Sequence, residues 1–355
     1  MTTADTRPVV GGSKQRSDSG RAGSRALRAQ HGTVVRRRSI RGRWAARGLR
    51  VLAAVLRRLP EAPLNRGADA VGGLLYRAQP ARRRLVRANL ERVVRYLAAN
   101  GMGGDVVRLA ASDAAALDRL TRSAFGHYMR SYLESATLAR YAAPDHLARV
   151  RADDQAAADA ALLSDEPVII VGLHFGAIEI PGVWVTRVLG RRVTAPMETV
   201  ADPDIQAYFQ DTRGVTGLNV IPVERAASEL RAALARKEAI ALVADRPVGG
   251  TGTPVNLFGA PARLPLGPAI LAQESGAPAW LIATRRAGKD EYRSRIERIE
   301  VPASPPGAAE SRRERASAFL DAEARAFERA VADAPDQWWT LFFPIWDDIP
   351  AAEQK

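Results

Sequence analysis

The stretch that decides the fold is PVIIVGLHFGAIEIPG, residues 167–182. Val168 to Leu173 form a continuous apolar, largely β-branched run, which is typical of a strand buried on both faces of a parallel sheet. Pro181 favours a helix that begins near residue 180, because proline fits the first turn of a helix. His174 therefore stands at the carboxyl end of a strand, where parallel sheets collect their ligands.

Strand and helix patterns alternate after this stretch. Further strands are predicted at 192–196, 218–222, 239–244 and 278–284, with an added edge strand at 292–301. Helices are predicted at 180–189, 203–213, 225–237 and 267–275. This order predicts an α/β fold, with a mostly parallel central sheet flanked by helices and joined by right-handed crossovers.

The chain upstream of the sheet reads as helical. Apolar residues recur at i, i+3 and i+4 to about residue 163, which predicts an N-terminal helical lead-in over 41–163. Its first helix places Trp44, Val51 and Val55 on one stripe and most of its arginines off it. Such a helix suits the plane of a membrane interface, although it could equally dock on its own domain with its arginines in water.

Residues 1–40 differ from the rest of the chain. They are rich in Arg, Ser and Gly without an apolar period, which predicts a disordered basic arm. We expect 164–350 to form the α/β core, and 41–350 to form one compact unit.

The positive charge belongs to the N-terminal end. The net charge is +13, and the first 60 residues carry fifteen Lys and Arg against Asp5 and Asp18, so the remainder is balanced. Such an arm is either a ligand for an anionic membrane surface or for nucleic acid, or a solvated tail. A nucleic-acid-binding protein is the remote alternative and no nucleic-acid partner is expected, because the neutral body lacks a basic folded face.

Several classes are excluded or disfavoured by composition. The chain has no cysteine, which rules out disulfides, thiolate nucleophiles and Cys-ligated metals. No metal site is expected, because His127, His146 and His174 lack ligand spacing. The apolar run Val51 to Leu56 is far short of the roughly 20 residues that cross a bilayer, and no signal-like segment follows Met1.

His174 and Glu179 form the first candidate pair. Five residues apart across a strand-to-helix turn, the two side chains can meet, and the carboxylate can fix the tautomer of the imidazole so that its other nitrogen acts as a base. The alternative is an ordinary core histidine.

Other segments extend the pattern into a family resemblance. His-x4-Glu after a buried strand resembles the His-x4-Asp/Glu motif of the glycerolipid and lipid A acyltransferases. The block ADRPVGGTGTPVNLFGAPARLPLGPAILAQESGAP at 244–278 resembles bacterial lipid A biosynthesis acyltransferases, and most closely the phosphatidylinositol mannoside acyltransferases. QPARRRLVRANLERV, TRSAFGHYMRSYLESATL and APDQWWTLFFPIW resemble further parts of that family, so the likeness covers roughly 45–347.

The resemblance implies transfer of a fatty acyl group from a thioester to a hydroxyl. Acyl-CoA or acyl carrier protein would be the co-substrate, with no other cofactor. Direct attack by the acceptor agrees with the residues, since the chain has neither cysteine nor a Gly-x-Ser-x-Gly elbow. His174 would act as base, Glu179 would orient it, and the backbone N–H groups of Phe175, Gly176 and Ala177 are candidates for binding the oxyanion.

Four polar residues are candidates for substrate binding. Arg213 and Arg246 could bind a phosphate of the acceptor or carrier, or simply form surface ion pairs. Asp245 could organise the site or bind a sugar hydroxyl. Glu198 is a weaker candidate, for which a structural role is favoured.

The acceptor implied is a glycolipid such as phosphatidylinositol mannoside, reached from the cytoplasmic face of the cell membrane by a peripheral protein. A lipid A precursor or lysolipid, with acyl carrier protein as donor, is the alternative. A catalytically inactive scaffold is a further possibility, against which the intact His174 and Glu179 argue.

Overall fold

A seven-stranded sheet forms the centre of the protein. The computed structural model describes residues 39–247, 252–288, 290–301 and 311–349, so the predicted arm at 1–40 lies almost wholly outside the described residues. The sheet has the order β1-β9-β8-β2-β5-β3-β4. Its strands are β1 Val150–Ala152, β2 Val168–Gly172, β3 Val193–Met197, β4 Asn219–Pro222, β5 Ala239–Val243, β8 Ala279–Arg286 and β9 Tyr292–Arg298.

All neighbouring strands of this sheet run parallel except β8 and β9. The central strand β2 pairs with β5 on one side and β8 on the other, and its first four residues are fully buried. The prediction of a mostly parallel α/β sheet is confirmed, and each predicted strand of the sheet is present.

Helices cover the sheet and precede it. The N-terminal helices are α1 Ile40–Leu56, α2 Glu61–Ala78, α3 Pro80–Ala99, α4 Asp105–Ser112, α5 Ala114–Ala136, α6 Pro144–Leu147 and α7 Gln155–Leu162. Those that follow β2 are α8 Ile180–Val188, α9 Pro203–Gly214, α10 Ala226–Ala235, α11 Gly267–Ser275 and α12 Arg312–Asp333. Short 3₁₀ turns at Pro335–Gln337 and Trp339–Phe342 carry the closing segment.

Two features differ from the predicted elements. The three-residue strand β1 lies inside the region predicted to be wholly helical, and it pairs outside β9, so β9 is not the edge strand. A separate antiparallel hairpin, β6 Thr253–Leu257 and β7 Ala260–Leu264, turns through Phe258 and Gly259, both with positive φ. This geometry matches the two-residue turns that suit the twist of a hairpin.

The helical lead-in and the sheet share one core. Buried side chains of α3 and α5 belong to the same apolar cluster as those of β2, β8 and α12. The side-chain amide of Asn89 on α3 donates to the carbonyl oxygens of Leu341 (2.8 Å) and Phe343 (3.0 Å). The lead-in thereby fixes the closing segment, which borders the site.

Helix α1 packs through small residues and turns an apolar face outward. Gly42, Ala46 and Ala53 are buried, and Gly42 lies against Asp202 at the start of α9, where a Cβ would overlap the carboxylate. Large apolar residues remain exposed on the other side, namely Ile40, Trp44, Val51, Leu52 and Val55. Across the residues that the structure describes, no helix has the length and apolar character needed to cross a membrane.

Candidate active site

His174 and Asp245 form the central pair of the site. Asp245 follows β5 and His174 follows β2, and these strands are parallel neighbours, so both side chains lie at the same edge of the sheet. The Nδ1 atom of His174 lies 2.7 Å from Oδ1 of Asp245. A carboxylate at this distance accepts a hydrogen bond from Nδ1–H, which favours the neutral tautomer with Nε2 free to act as a base.

Asp245 is held as a buried anion. Its second oxygen, Oδ2, accepts hydrogen bonds from Nε1 of Trp338 (2.8 Å) and Oγ1 of Thr340 (2.5 Å). Burial alone would raise the pKa of Asp245, but the charge and hydrogen bond of His174, with those of Thr340 and Trp338, hold it below its ordinary value. The acid therefore stays ionised at neutral pH and orients the imidazole.

Glu179 occupies a different place from the one predicted. It directly precedes α8, and its oxygens accept from the Nη2 (2.5 Å) and Nε (3.2 Å) of Arg213, with Ser135 Oγ 3.4 Å away. The predicted His174–Glu179 hydrogen bond is corrected to His174–Asp245. The parallel pairing of β2 with β5 brings Asp245 to the imidazole, while Arg213 draws Glu179 aside.

The predicted oxyanion donors are already used within the protein. The backbone N–H groups of Phe175, Gly176 and Ala177 donate to the carbonyl oxygens of three other residues, which are Leu173, Gln337 and Thr284. These bonds, 2.7–2.9 Å long, hold the turn after β2 in place. These three candidate donors for the oxyanion are therefore engaged in hydrogen bonds within the protein.

A buried ion pair supports the same turn. Arg286, at the end of β8, donates to both carboxylate oxygens of Glu134, at 2.7 and 2.5 Å, and its Nη2 donates to the Gly176 carbonyl at 3.0 Å. The side chains are only 6% and 7% exposed. Gly176 has φ of 52°, and a Cβ there would lie 2.1 Å from the Thr284 oxygen, so the turn requires glycine.

His174 opens onto a largely apolar cavity of about 400 Å³. The cavity lies between α8, α9 and one face of the sheet. Its floor is made of strand side chains from β2, β3, β4, β5 and β8, which include Ile170, Ala195, Val220, Val243 and Ile282. The size falls within the range of small-molecule sites, in which an apolar lining carries a few placed polar groups.

The remaining predicted residues lie around this cavity. Glu179, Arg213, Glu198 and Arg246 all line it. The guanidinium of Arg246 stacks over Phe343 at 4.8 Å and contacts Glu198 at 3.3 Å. Its side chain is 33% exposed, which leaves part of the guanidinium facing solvent at the rim.

Three residues of the closing segment were missed by the sequence reading. Trp338 and Thr340 bind Asp245, and the Trp339 backbone N–H donates to the His174 carbonyl oxygen at 3.0 Å. Their segment, APDQWWTLFFPIW, was matched to the family without roles for its residues. Two adjacent aromatic residues read equally well as core packing, so only the fold distinguishes them.

Comparison with known proteins shows the family of this chain. A family model described as "Bacterial lipid A biosynthesis acyltransferase" matches residues 109–346, which is more than half of the chain, and the chain belongs to that family.

Among the residues that the structure describes, no three His, Asp or Glu side chains come together as a metal site.

Curated relatives match over a shorter stretch. The phosphatidylinositol mannoside acyltransferase of Mycobacterium tuberculosis is 33% identical over 123 residues, which are 34% of this chain and 39% of that protein. The one from Mycolicibacterium smegmatis is 34% identical over 112 residues, 29% of this chain and 35% of that protein. The match thus spans well under half the length of these relatives. The resemblance drawn from the sequence is confirmed.

Proposed function

We propose that this protein is a membrane-associated O-acyltransferase that moves a fatty acyl chain from acyl-CoA to a hydroxyl of a glycolipid such as phosphatidylinositol mannoside. The observation that carries the proposal is the His174–Asp245 pair at the mouth of an apolar cavity. In this pair the buried acid Asp245 orients the base His174, and the adjacent cavity has room for a fatty acyl chain.

The residues support direct transfer without an acyl-enzyme. Nε2 of His174 takes the proton of the acceptor hydroxyl as its oxygen attacks the thioester carbonyl carbon. The C–O bond forms and a tetrahedral oxyanion develops. When the C–S bond breaks, the imidazolium returns its proton to the leaving thiolate, which gives ester and free thiol. Base catalysis of this kind contributes about 10²–10⁴-fold to the rate.

The cavity would hold the acyl chain. Its floor is apolar and extends from His174 across β2, β5, β3 and β4. Burial of methylenes contributes about 0.8 kcal/mol each, so an apolar trough favours a long chain over a short one. Glu179 and Arg213 neutralise each other on the wall, which keeps this side compatible with an uncharged chain.

Arg246 is the better of the two predicted phosphate ligands. Arg213 already donates two hydrogen bonds to Glu179. Arg246 makes only one contact with a carboxylate, at 3.3 Å, and lies at the rim. A phosphate of the acceptor headgroup or of the thioester carrier could displace Glu198, since guanidinium binds phosphate through two N–H groups.

The outward face of α1 would dock on the membrane at its cytoplasmic face. Trp44 and Val51 are 66% and 65% exposed, and arginines flank the apolar stripe. An amphipathic cationic helix of this kind binds anionic lipid surfaces.

Replacing Val51 and Val55 with Glu should weaken binding to vesicles of phosphatidylcholine and phosphatidylglycerol. The matched control replaces Val106 and Leu109, two exposed apolar residues of α4, with Glu in the same way. Equal losses in both variants would contradict docking through α1.

The proposal is tested by transfer of radiolabelled palmitate between defined pairs. Purified protein is given palmitoyl-CoA or palmitoyl-acyl carrier protein, with phosphatidylinositol mannosides, a lipid A precursor or a lysophospholipid as acceptor. We expect label in phosphatidylinositol mannoside from palmitoyl-CoA. Label only in the lipid A precursor, from the carrier protein, would favour the alternative, and no label with any pair would reject acyl transfer.

A further inference from the structure

The indole N–H of Trp339 lies beside the candidate base. Its Nε1 is buried and has no hydrogen-bond partner among the residues that the structure describes. Trp339 lines the cavity, and its ring meets the His174 ring edge to face with centroids 4.6 Å apart. An N–H that is buried without an acceptor destabilises the folded protein, so its presence calls for an explanation.

The neighbouring indole shows that this environment can satisfy such a group. Nε1 of Trp338 donates to Asp245 at 2.8 Å, and Nε1 of Trp346 donates to the Leu257 carbonyl oxygen at 3.2 Å. Trp339 differs from both because its N–H has no acceptor within the described part of the chain. The acceptor is therefore to be sought among groups that enter the cavity.

The reaction needs a donor at this place. The turn after β2 cannot supply one, because the N–H groups of Phe175, Gly176 and Ala177 already donate to carbonyl oxygens. The hydroxyl that His174 activates is hydrogen-bonded to the imidazole, and its oxygen attacks a carbonyl carbon from about 3 Å away. This carbonyl is therefore within reach of a ring packed against the imidazole. Negative charge then develops on the carbonyl oxygen, close to the indole edge.

We propose that Nε1 of Trp339 donates a hydrogen bond to the thioester carbonyl oxygen and binds the oxyanion of the tetrahedral intermediate. The inference rests on the proposed acyl transfer. Trp339 forms and breaks no covalent bond: the C=O oxygen gains charge as the C–O bond forms and loses it when the C–S bond breaks. A donor that meets its acceptor only in the reacting complex stabilises the transition state more than the free enzyme.

Tyr128 and Tyr132 pack edge-on against the Trp339 indole and form an aromatic wall around it. This wall would control access to the indole N–H. Nε1 is covered by protein atoms, so the acyl group must displace part of the wall to reach it. Tyr132 packs edge-on against the indole at 6.3 Å and is 51% exposed, whereas its neighbour Tyr128 is buried. Tyr132 is therefore the side chain with room to move outward.

The test removes the N–H and keeps the ring. Trp339→Phe retains an aromatic group but cannot donate, and Trp339→His restores a ring N–H. Trp346→Phe is the matched control, since it removes an indole N–H that has a protein acceptor outside the cavity. The kcat and KM for palmitoyl transfer and the Tm are measured for all four proteins.

The expected results separate catalysis from packing. Trp339→Phe should lower kcat by about 10²-fold with little change in KM and no loss of Tm, as expected for one oxyanion donor. Trp339→His should recover part of the activity, and Trp346→Phe should lower Tm while sparing kcat. Wild-type kcat in Trp339→Phe would overturn the inference, as would a parallel loss of kcat and Tm.

The outcomes also distinguish this inference from the proposed function. If the wild-type protein transfers no label, acyl transfer itself fails; if it transfers and Trp339→Phe matches it, only the role of Trp339 fails. Should Trp339→Phe be insoluble, the indole N–H resonance is followed in wild type, assigned through its contacts with His174. A pentadecylphosphonate monoester, whose phosphorus replaces the carbonyl carbon and whose oxygens mimic the oxyanion, should move it downfield, and an unmoved resonance would overturn the inference.

Discussion

Replacing Asp245 with Asn tests which carboxylate orients His174. The acid accepts three hydrogen bonds, from Nδ1 of His174, Nε1 of Trp338 and Oγ1 of Thr340. Asparagine has the same shape but only one acceptor oxygen. Because the Trp338 indole can only donate, that oxygen must face Trp338, and the amide NH₂ then faces His174.

This reversal fixes the wrong tautomer. An NH₂ group at 2.7 Å forces Nδ1 of His174 to accept, so the ring proton moves to Nε2, where the acceptor hydroxyl should bind. The neutral imidazole then has no unprotonated nitrogen facing the acceptor hydroxyl, so it cannot act as the base. We expect kcat to fall by about 10³-fold, or about 4 kcal/mol, within the span of general-base catalysis. The KM should change little, because Asp245 is buried behind the cavity.

The assay is palmitoyl transfer with Asp245→Asn, Glu179→Gln and wild type side by side. Glu179→Gln weakens the contact with Arg213 on the cavity wall, so its effect on kcat should stay below about tenfold. Near-ultraviolet circular dichroism verifies that both variants are folded. A 10³-fold loss in Glu179→Gln with near-normal kcat in Asp245→Asn would contradict the role of Asp245 and assign the orientation of His174 to Glu179.

Three further predictions concern the framework of the site. Glu134→Gln breaks the buried pair with Arg286 and should lower the free energy of unfolding by about 3–5 kcal/mol, measured with urea. Gly176→Ala places an alanine in a left-handed conformation, and its Cβ overlaps the Thr284 carbonyl oxygen. We expect the free energy of unfolding to fall by at least about 1–2 kcal/mol and the transfer activity to be lost, and a wild-type Tm would contradict this. Burial, and then the charge of a nearby buried carboxylate, raises the pKa of Glu323 well above 4.5, so the folded state keeps a proton that the unfolded state releases. The wild type should therefore lose stability relative to Glu323→Gln as pH rises above 4.5, by up to about 1.4 kcal/mol per pH unit, and equal stability of the two proteins at pH 4 and pH 7 would contradict this sign.

Long apolar runs made most of the sheet predictable. β2, β5 and β8 carry continuous apolar segments, so their positions followed from sequence alone. β1 has three residues, too few for a period. The β6–β7 hairpin contains Pro254 and Pro261, and its turn is Phe-Gly instead of the Asn-Gly that marks such turns.

The sequence predicted His174 and Asp245 as site residues, but it predicted neither their pairing nor the contacts of Trp338 and Thr340 with Asp245. His174 and Asp245 each follow a strand, and that position together with the family resemblance made both candidates. The choice of Glu179 as the partner came from nearness along the chain. The order of strands in a sheet is a tertiary property, and only the pairing of β2 with β5 brings Asp245 to the imidazole. Backbone N–H groups likewise cannot be assigned to acceptors before the loops around them are known.

The most direct test of the central claim compares His174→Ala with His146→Ala in palmitoyl transfer to phosphatidylinositol mannosides. The two histidines are similarly exposed, 20% and 21%, but His146 pairs with Glu61 away from the cavity. We predict that His174→Ala loses about 10²–10⁴-fold in kcat, while His146→Ala keeps the wild-type kcat. Equal activity of His174→Ala and wild type would contradict the assignment of His174 as the base.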